Sequence, residues 1–313
     1  MTSEDVVNAL TDRTAVAKVH ADVLSTATSG ANLGNHLVGL LVWPTASREQ
    51  LRSMSREAIK ETFSHQGWRL TAAFANKCEA CISPSNHLAR ILVDEGGLTA
   101  PCYVRPNGIN TRLYRDAAPQ DSPVEKRPGE RFIISVARLS PEKRQKALIE
   151  AMPHIPDNRI KLVLVGGGPY ENELRMRAAE LGVTGRVIFT GMQPSDKVAS
   201  LLKQADVFSL ASYHFDNQPM TFLEAASSGL PIVYCDEQMT EGLTERNSVL
   251  ADGIEGEDLA RAFNGLFSDP ERLERLSLGS LDVARDFDST TMAERMVGLY
   301  ESLIRDHRAL PYR

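Results

Sequence analysis

Five short apolar runs alternate with helical patterns over residues 132–234, and this alternation constrains the fold more than any other feature of the chain. The runs are 132–136, 160–165, 187–189, 207–210 and 232–234, with helical stretches at 146–152, 170–181, 196–204 and 221–228 between them. Apolar runs of that length separated by helices read as buried strands, and parallel neighbours need crossover connections. The expected class is therefore α/β, with a doubly wound parallel sheet. In such sheets ligands sit beyond the carboxyl ends of the strands, so the loops after each run are where chemistry is expected.

The amino-terminal third is less regular. Residues 15–19 read as a strand ending at His20, residues 47–76 as a long helical or irregular region, and 80–82 and 101–104 as further strands with a helix at 88–95 between them. The turn Pro106-Asn107-Gly108 closes the last of these strands. A stretch rich in Pro and charge, 116–130, reads as a linker, and 288–310 as a long amphipathic helix. The expected division is a domain at 1–115, a second at 116–287, and a terminal helix, 288–313, that packs back on the first.

Composition narrows the function classes. A formal net charge of -6 argues against a general nucleic-acid binder. No apolar run approaches the ~20 residues that span a bilayer; the longest, 37–43, is interrupted by Gly39 and reads as buried, with peripheral membrane contact left open. The first residues show neither a basic region nor an apolar one of the secretory kind. The four cysteines, Cys78, Cys81, Cys102 and Cys235, form no disulfide framework and read as buried thiols in a reducing cytoplasm. The expected location is cytoplasmic, with the inner face of the membrane as the place of any peripheral contact.

Three groups of residues carry the chemistry. Arg138 and Lys143 follow the run 132–136; a guanidinium fork and an ammonium there can neutralise a diphosphate without a metal, or can simply be solvated. Gly166-Gly167-Gly168-Pro169 ends the next run and opens a helix, where glycines admit a ligand to the backbone and the helix N-terminus favours negative charge. The same residues also suit a tight turn with no ligand. Asp216 precedes Glu224 by eight positions, with Pro219 suited to the first turn of the helix between them. Eight helical residues rise about 12 Å, so the two acids cannot be one acid/base pair but can grip two ends of an elongated ligand. The plainer alternative makes Asp216 (or Asn217) the helix cap and Glu224 a surface acid. His20, ending a strand, either faces a cleft or is structural. Asp286-Phe287-Asp288 has a D-x-D form, but it stands directly before the last helix and reads as a cap rather than a metal site.

Taken jointly, these landmarks resemble the donor-binding half of a family-4 retaining glycosyltransferase (glycosyl transferases group 1) of the GT-B fold. The G/A-R-L-x-x-x-K loop is matched by Ala137-Arg138-Leu139 through Lys143, V-G-x-G-P by Val165 to Pro169, and F-x-G by Phe189-Thr190-Gly191. The E-x7-E pattern running into E-A-x-x-x-G-x-P-V is matched by Asp216, Glu224, Ala225, Gly229, Pro231, Ile232 and Val233. Pro84-Ser85 and Pro106-Asn107-Gly108-Ile109 extend the similarity upstream, as does His20.

The resemblance implies two Rossmann-like domains facing across a cleft, the first of them on the acceptor side. It implies that His20, Arg138, Lys143 and Asp216 act in catalysis. Gly167, Gly168, Gly191, Met192, Asn217, Gln218, Pro219, Met220, Thr221 and Glu224 would hold the donor: Glu224 on the ribose, Asp216 and the amides after it on the sugar, and Gly191-Met192 by the base. It implies no metal and no cofactor, a UDP- or GDP-sugar donor, and a saccharide or lipid acceptor. The chain departs from the family in having Asp216 for Glu, Asn217-Gln218-Pro219-Met220 for a Gly/Phe run, Lys18 where a Thr is usual, and a first domain that looks truncated. The last departure keeps a second reading alive, a non-catalytic relative that binds a nucleotide or a partner subunit. A sugar-nucleotide epimerase of the same fold is a third, for which the acid/base residues are not found.

Overall fold

The computed structural model describes residues 67–309. His20, the strand expected at 15–19, the apolar segment 37–43 and most of 47–76 lie outside the described residues. The chain divides into two compact units: one holds the segment through Cys81 together with Leu88–Cys102, the other holds Ile82–His87 and everything from Tyr103 onward.

Within the first unit, a helix (α1) runs through residues 67–75. Its small residues Ala72 and Ala75 pack against Leu88, Leu92, Leu98 and Cys81. Helix α2, Asn86–Arg90, continues as a π-helical turn, Ile91–Glu95. Strands β1 (Cys81–Ser83) and β2 (Cys102–Val104) form a two-stranded sheet, of which Ile82, Ser83, Tyr103 and Val104 belong to the second unit. Burial pushes the Cys81 thiol up to about 12, and the Cys102 and Cys78 thiols are raised for the same reason. Cys78 follows α1, its Sγ 4.0 Å from the Phe74 carbonyl.

In the second unit a short helix α3, Thr111–Arg115, capped by the Asn110 side chain, precedes the main sheet. Six parallel strands follow: β3 (Arg131–Val136), β4 (Ile160–Val165), β5 (Val187–Gly191), β6 (Val207–Leu210), β7 (Ile232–Tyr234) and β8 (Ser248–Leu250). Their order across the sheet is β5-β4-β3-β6-β7-β8. Helices α4 (Gln145–Ala151), α5 (Glu171–Glu180), α6 (Ser195–Gln204), α7 (Met220–Ser227) and α8 (Gly256–Phe267) supply the crossovers and cover, with α9 (Pro270–Arg285) and α10 (Ser289–Ala309) closing the chain. The α/β class with a parallel, Rossmann-like sheet is borne out.

Alternation along each strand divides the core in two. Ile133, Leu162, Leu164, Val207 and Val233 pack toward Leu148, Ile149, Leu174, Leu259 and Phe263. Phe132, Ile134, Val163, Phe208 and Ile232 pack toward Val198, Leu202, Phe222 and Leu223. Because both faces are covered, the strands are mainly apolar rather than regularly alternating with polar residues, and Ser135 and Ser209 are buried among them. The stretch 116–130 is fastened to this unit rather than free: Lys126 Nζ lies 2.6 Å from Asp206 Oδ2, which also accepts the Phe132 amide at 2.6 Å. The D-x-D acid Asp288 precedes α10, accepting the Thr290 amide at 3.0 Å and the Thr111 hydroxyl at 2.6 Å. Among the described residues no helix is long and apolar enough to cross a membrane.

Candidate functional site

The strand order places a topological switch point between β3 and β6, where successive connections leave in opposite directions and a crevice opens at the carboxyl ends. The loop after β3 carries Arg138 and Lys143, and the loop after β6 carries Asp216 to Pro219. The two loops meet. Lys143 Nζ lies 2.5 Å from Asp216 Oδ1, with both side chains mostly buried, and the second carboxylate oxygen, Oδ2, is buried without a partner. The ammonium also lies 5.3 Å from the centre of the Phe215 ring.

Local backbone geometry directs Lys143 into the crevice. It ends the 3-10 turn Pro141–Lys143, and Arg144 then takes a left-handed conformation, φ 51°, before α4 begins. That reversal separates the two cations: the Arg144 guanidinium donates to the Ile254 carbonyl at 2.7 Å, while Lys143 faces Asp216. Arg138 is exposed, and its carbonyl accepts the Gln145 side-chain amide at 2.7 Å. The loop is thus held by its backbone while the guanidinium stays available.

The glycines serve the tight turn that their sequence also allows. A Cβ on Gly166 would lie 2.0 Å from the Ala137 carbonyl oxygen, and one on Gly168 2.1 Å from that of Leu139. Both positions admit the neighbouring loop of the protein itself, which the Leu139 amide ties to the Gly167 carbonyl at 3.1 Å. Gly167 faces the side chain of Met192, which is 82% exposed beyond the end of β5 beside Gly191.

Helix α7 also differs from its expectation. Pro219 is the N-cap residue, and no side chain caps the helix. Asp216 is not the cap; the Lys143 charge holds it three residues before the N-cap, Pro219. The N-terminal amides of α7 are therefore left toward the crevice, where an anion is favoured. Asn217, Met220 and Thr221 are half-buried around this end. Glu224, farther along α7, is no surface acid. Burial holds its carboxyl above the ordinary range, opposed by the Tyr114 hydroxyl, which donates to it. The Tyr114 hydroxyl is itself pushed up, by burial first and then by Glu224.

Three contacts of the site had no local sequence signal. Tyr114 comes from α3, far from Glu224 in the chain. Asp236, 1% exposed, accepts the His214 amide at 2.6 Å and the Gln238 amide at 3.0 Å, which fixes the loop after β6 where His214 has φ 51°. Asn107 binds Gln218 with its backbone and its side chain. Only the folded chain brings the partners of any of the three together.

Comparison with known proteins gives this arrangement a family. Residues 117–279 match the model described as glycosyl transferases group 1. The alpha-monoglucosyldiacylglycerol synthase of Streptococcus pneumoniae is 28% identical over 236 residues, covering 72% of this chain and 50% of that protein. The GDP-mannose-dependent alpha-(1-6)-phosphatidylinositol monomannoside mannosyltransferase of Mycolicibacterium smegmatis is 26% identical over 265 residues, covering 75% and 67%. The chain thus spans about half to two thirds of the length of these relatives. Anabaena HepE, solved in complex with UDP and glucose, superposes with a TM-score of 0.68 at 23% identity, covering 78% of this chain and 69% of its own, a likeness of fold. The matched segment takes in β3 to β8 and every crevice residue from Arg138 to Glu224, and the chain belongs to the glycosyl transferases group 1 family.

Proposed function

We propose that the chain is a family-4 glycosyltransferase that moves a hexose-type sugar from a UDP- or GDP-sugar to a saccharide or lipid acceptor, with retention and without a metal. The observation that carries this reading is the meeting of Lys143 and Asp216 over the switch point, 2.5 Å apart. A cation and a carboxylate so placed, beside an uncapped helix, suit a ligand that is anionic at one end and hydroxylated at the other. In this reading Arg138 and Lys143 take the diphosphate, Glu224 the ribose, and Asp216 a sugar hydroxyl.

The reaction breaks the bond between the anomeric carbon and the diphosphate oxygen, whose electron pair leaves with the nucleotide. The acceptor oxygen bonds to that carbon, and its proton passes to the departing phosphate. Arg138 and Lys143 stabilise the charge as it develops, which is electrostatic catalysis. A lipid acceptor, and with it a peripheral position at the inner membrane face, draws support from relatives named for diacylglycerol and phosphatidylinositol mannosides. The test is nucleotide release by the full chain from UDP-glucose, UDP-galactose, UDP-N-acetylglucosamine and GDP-mannose. Diacylglycerol vesicles, phosphatidylinositol vesicles and free sugars serve as acceptors. Acceptor-dependent release that Arg138→Ala abolishes is expected. Donor binding with no transfer to any acceptor would remove the catalytic part of the reading, and an undiminished Arg138→Ala would remove the site assignment.

A further inference from the structure

We infer that Gln218 is a positioning residue, clamped by Asn107 so that the loop after β6 presents Asp216 to the sugar end of the donor; this rests on the donor-site reading just given. The Asn107 amide donates to Gln218 Oε1 at 2.7 Å and the Asn107 Nδ2 donates to the same oxygen at 3.0 Å. Gln218 Nε2 returns a bond to the Asn107 carbonyl at 3.2 Å. Both ends of the Gln218 amide are therefore taken by one residue, 111 positions away in the chain.

The anchor is itself rigid. The Arg105 amide, before the turn, donates to the Ser83 carbonyl at 2.8 Å, and the Ile109 amide, after it, donates to the Phe287 carbonyl at 2.9 Å. Between them Gly108 is pressed onto the start of α10, where a Cβ would lie 2.9 Å from Ser289 Cα. At its other end the loop is fixed by Asp236, through the His214 amide at 2.6 Å. Between these two fasteners lie only Phe215, Asp216 and Asn217. The segment has no regular secondary structure, so these fasteners, together with the Lys143 ion pair, set where the Asp216 carboxylate stands. The three bonds are solvent-exposed and contribute little to global stability; their effect is local order, which a ligand meeting Asp216 otherwise has to supply on binding.

The consequence is selective. The loop faces the sugar, while Arg138 and Glu224 face the nucleotide, so loosening the clamp weakens a nucleotide-sugar and spares the bare nucleotide. Calorimetric titration of the full chain with UDP and with UDP-glucose, or with GDP and GDP-mannose where those bind instead, reads this directly. Gln218→Leu removes all three bonds and is expected to weaken the nucleotide-sugar about five- to twentyfold while changing the nucleotide less than about twofold. Asn107→Ala removes one bond and is expected to weaken the nucleotide-sugar about two- to fivefold, with the double variant no worse than Gln218→Leu.

Equal losses for nucleotide and nucleotide-sugar in Gln218→Leu would overturn the inference. So would wild-type affinity in Asn107→Ala, which would make Gln218 a direct donor contact. Failure of the parent chain to bind either nucleotide or either nucleotide-sugar is a separate outcome, which removes the donor-site reading and the clamp's role with it.

Discussion

Lys143 Nζ lies 2.5 Å from Asp216 Oδ1, and the two residues come from loops on either side of the switch point between β3 and β6. Their charges offset each other, so an incoming diphosphate competes with Asp216 for the ammonium. Asp216→Asn removes that competition. In the proposed reading it is expected to tighten UDP or GDP binding about three- to tenfold while lowering sugar transfer at least about tenfold, because the carboxylate assigned to a sugar hydroxyl is gone. Calorimetry with the nucleotide and a turnover assay separate the two effects. Unchanged nucleotide affinity in Asp216→Asn would show that the pair does not gate the anion.

Glu224 gives a pH signature. Its carboxyl is held above its ordinary value of 4.5, chiefly by burial. A folded-state pKa above the unfolded one means that the native protein binds more protons between the two values. The favourable contribution is fully present below 4.5 and is lost as pH rises through the folded-state value. Glu224→Gln is neutral at every pH, so it is expected to raise the melting temperature by about 2 °C or more at pH 7 and to have no such advantage at pH 4. Tyr114→Phe deletes the hydrogen bond that opposes the shift, so it is expected to lower stability at pH 7 more than at pH 4. Thermal melts from pH 4 to pH 8 decide this, and a Glu224→Gln variant less stable than the parent at pH 7 contradicts it.

The glycine loop predicts a steep positional contrast. An added Cβ at Gly168 meets the Leu139 carbonyl oxygen at 2.1 Å, backbone that the Tyr170 and Leu139 amide bonds hold in place. Gly168→Ala is expected to cost about 3 kcal/mol or more. Gly185→Ala, where nothing lies within 4 Å of the added carbon, is expected to be near neutral. Urea unfolding of the two variants provides the comparison. Equal midpoints would mean that the loop after β3 moves freely away from the glycines.

The thiols should respond to unfolding. Burial raises Cys81 to about 12 and Cys235 to about 11, so near pH 8 both stay protonated in the native protein. Both are expected to resist iodoacetamide in the native protein and to react fully in denaturant, as mass spectrometry of labelled peptides reports. Rapid native labelling of either one contradicts the packing described.

What the sequence revealed and what it concealed follow from the range of the interactions. Strands β3 to β7 were legible because each is a local apolar run bounded by helix signals, and the parallel order follows from the crossovers. Strand β8 was not: Ser248–Leu250 is three residues long at the sheet edge and carries no periodic pattern. The site landmarks were legible as residue types after strands, but their partners were not. Asp216 suits a helix cap by local rules, yet the Lys143 charge takes it, and Pro219 opens α7 without a side-chain cap. Gln218 with Asn107 and Glu224 with Tyr114 are pairs that only the folded sheet brings together.

The most direct test of the central claim, that the loops after β3 and β6 with α7 form a nucleotide-sugar site, is calorimetric titration of the full chain and of Arg138→Ala with UDP, GDP and their hexose conjugates. Arg138 is exposed and its loop is held by backbone bonds, so the variant should fold as the parent does. The account predicts that one nucleotide family binds and that Arg138→Ala weakens it at least about tenfold. No binding by any of the four ligands, or equal binding by the variant, would contradict it.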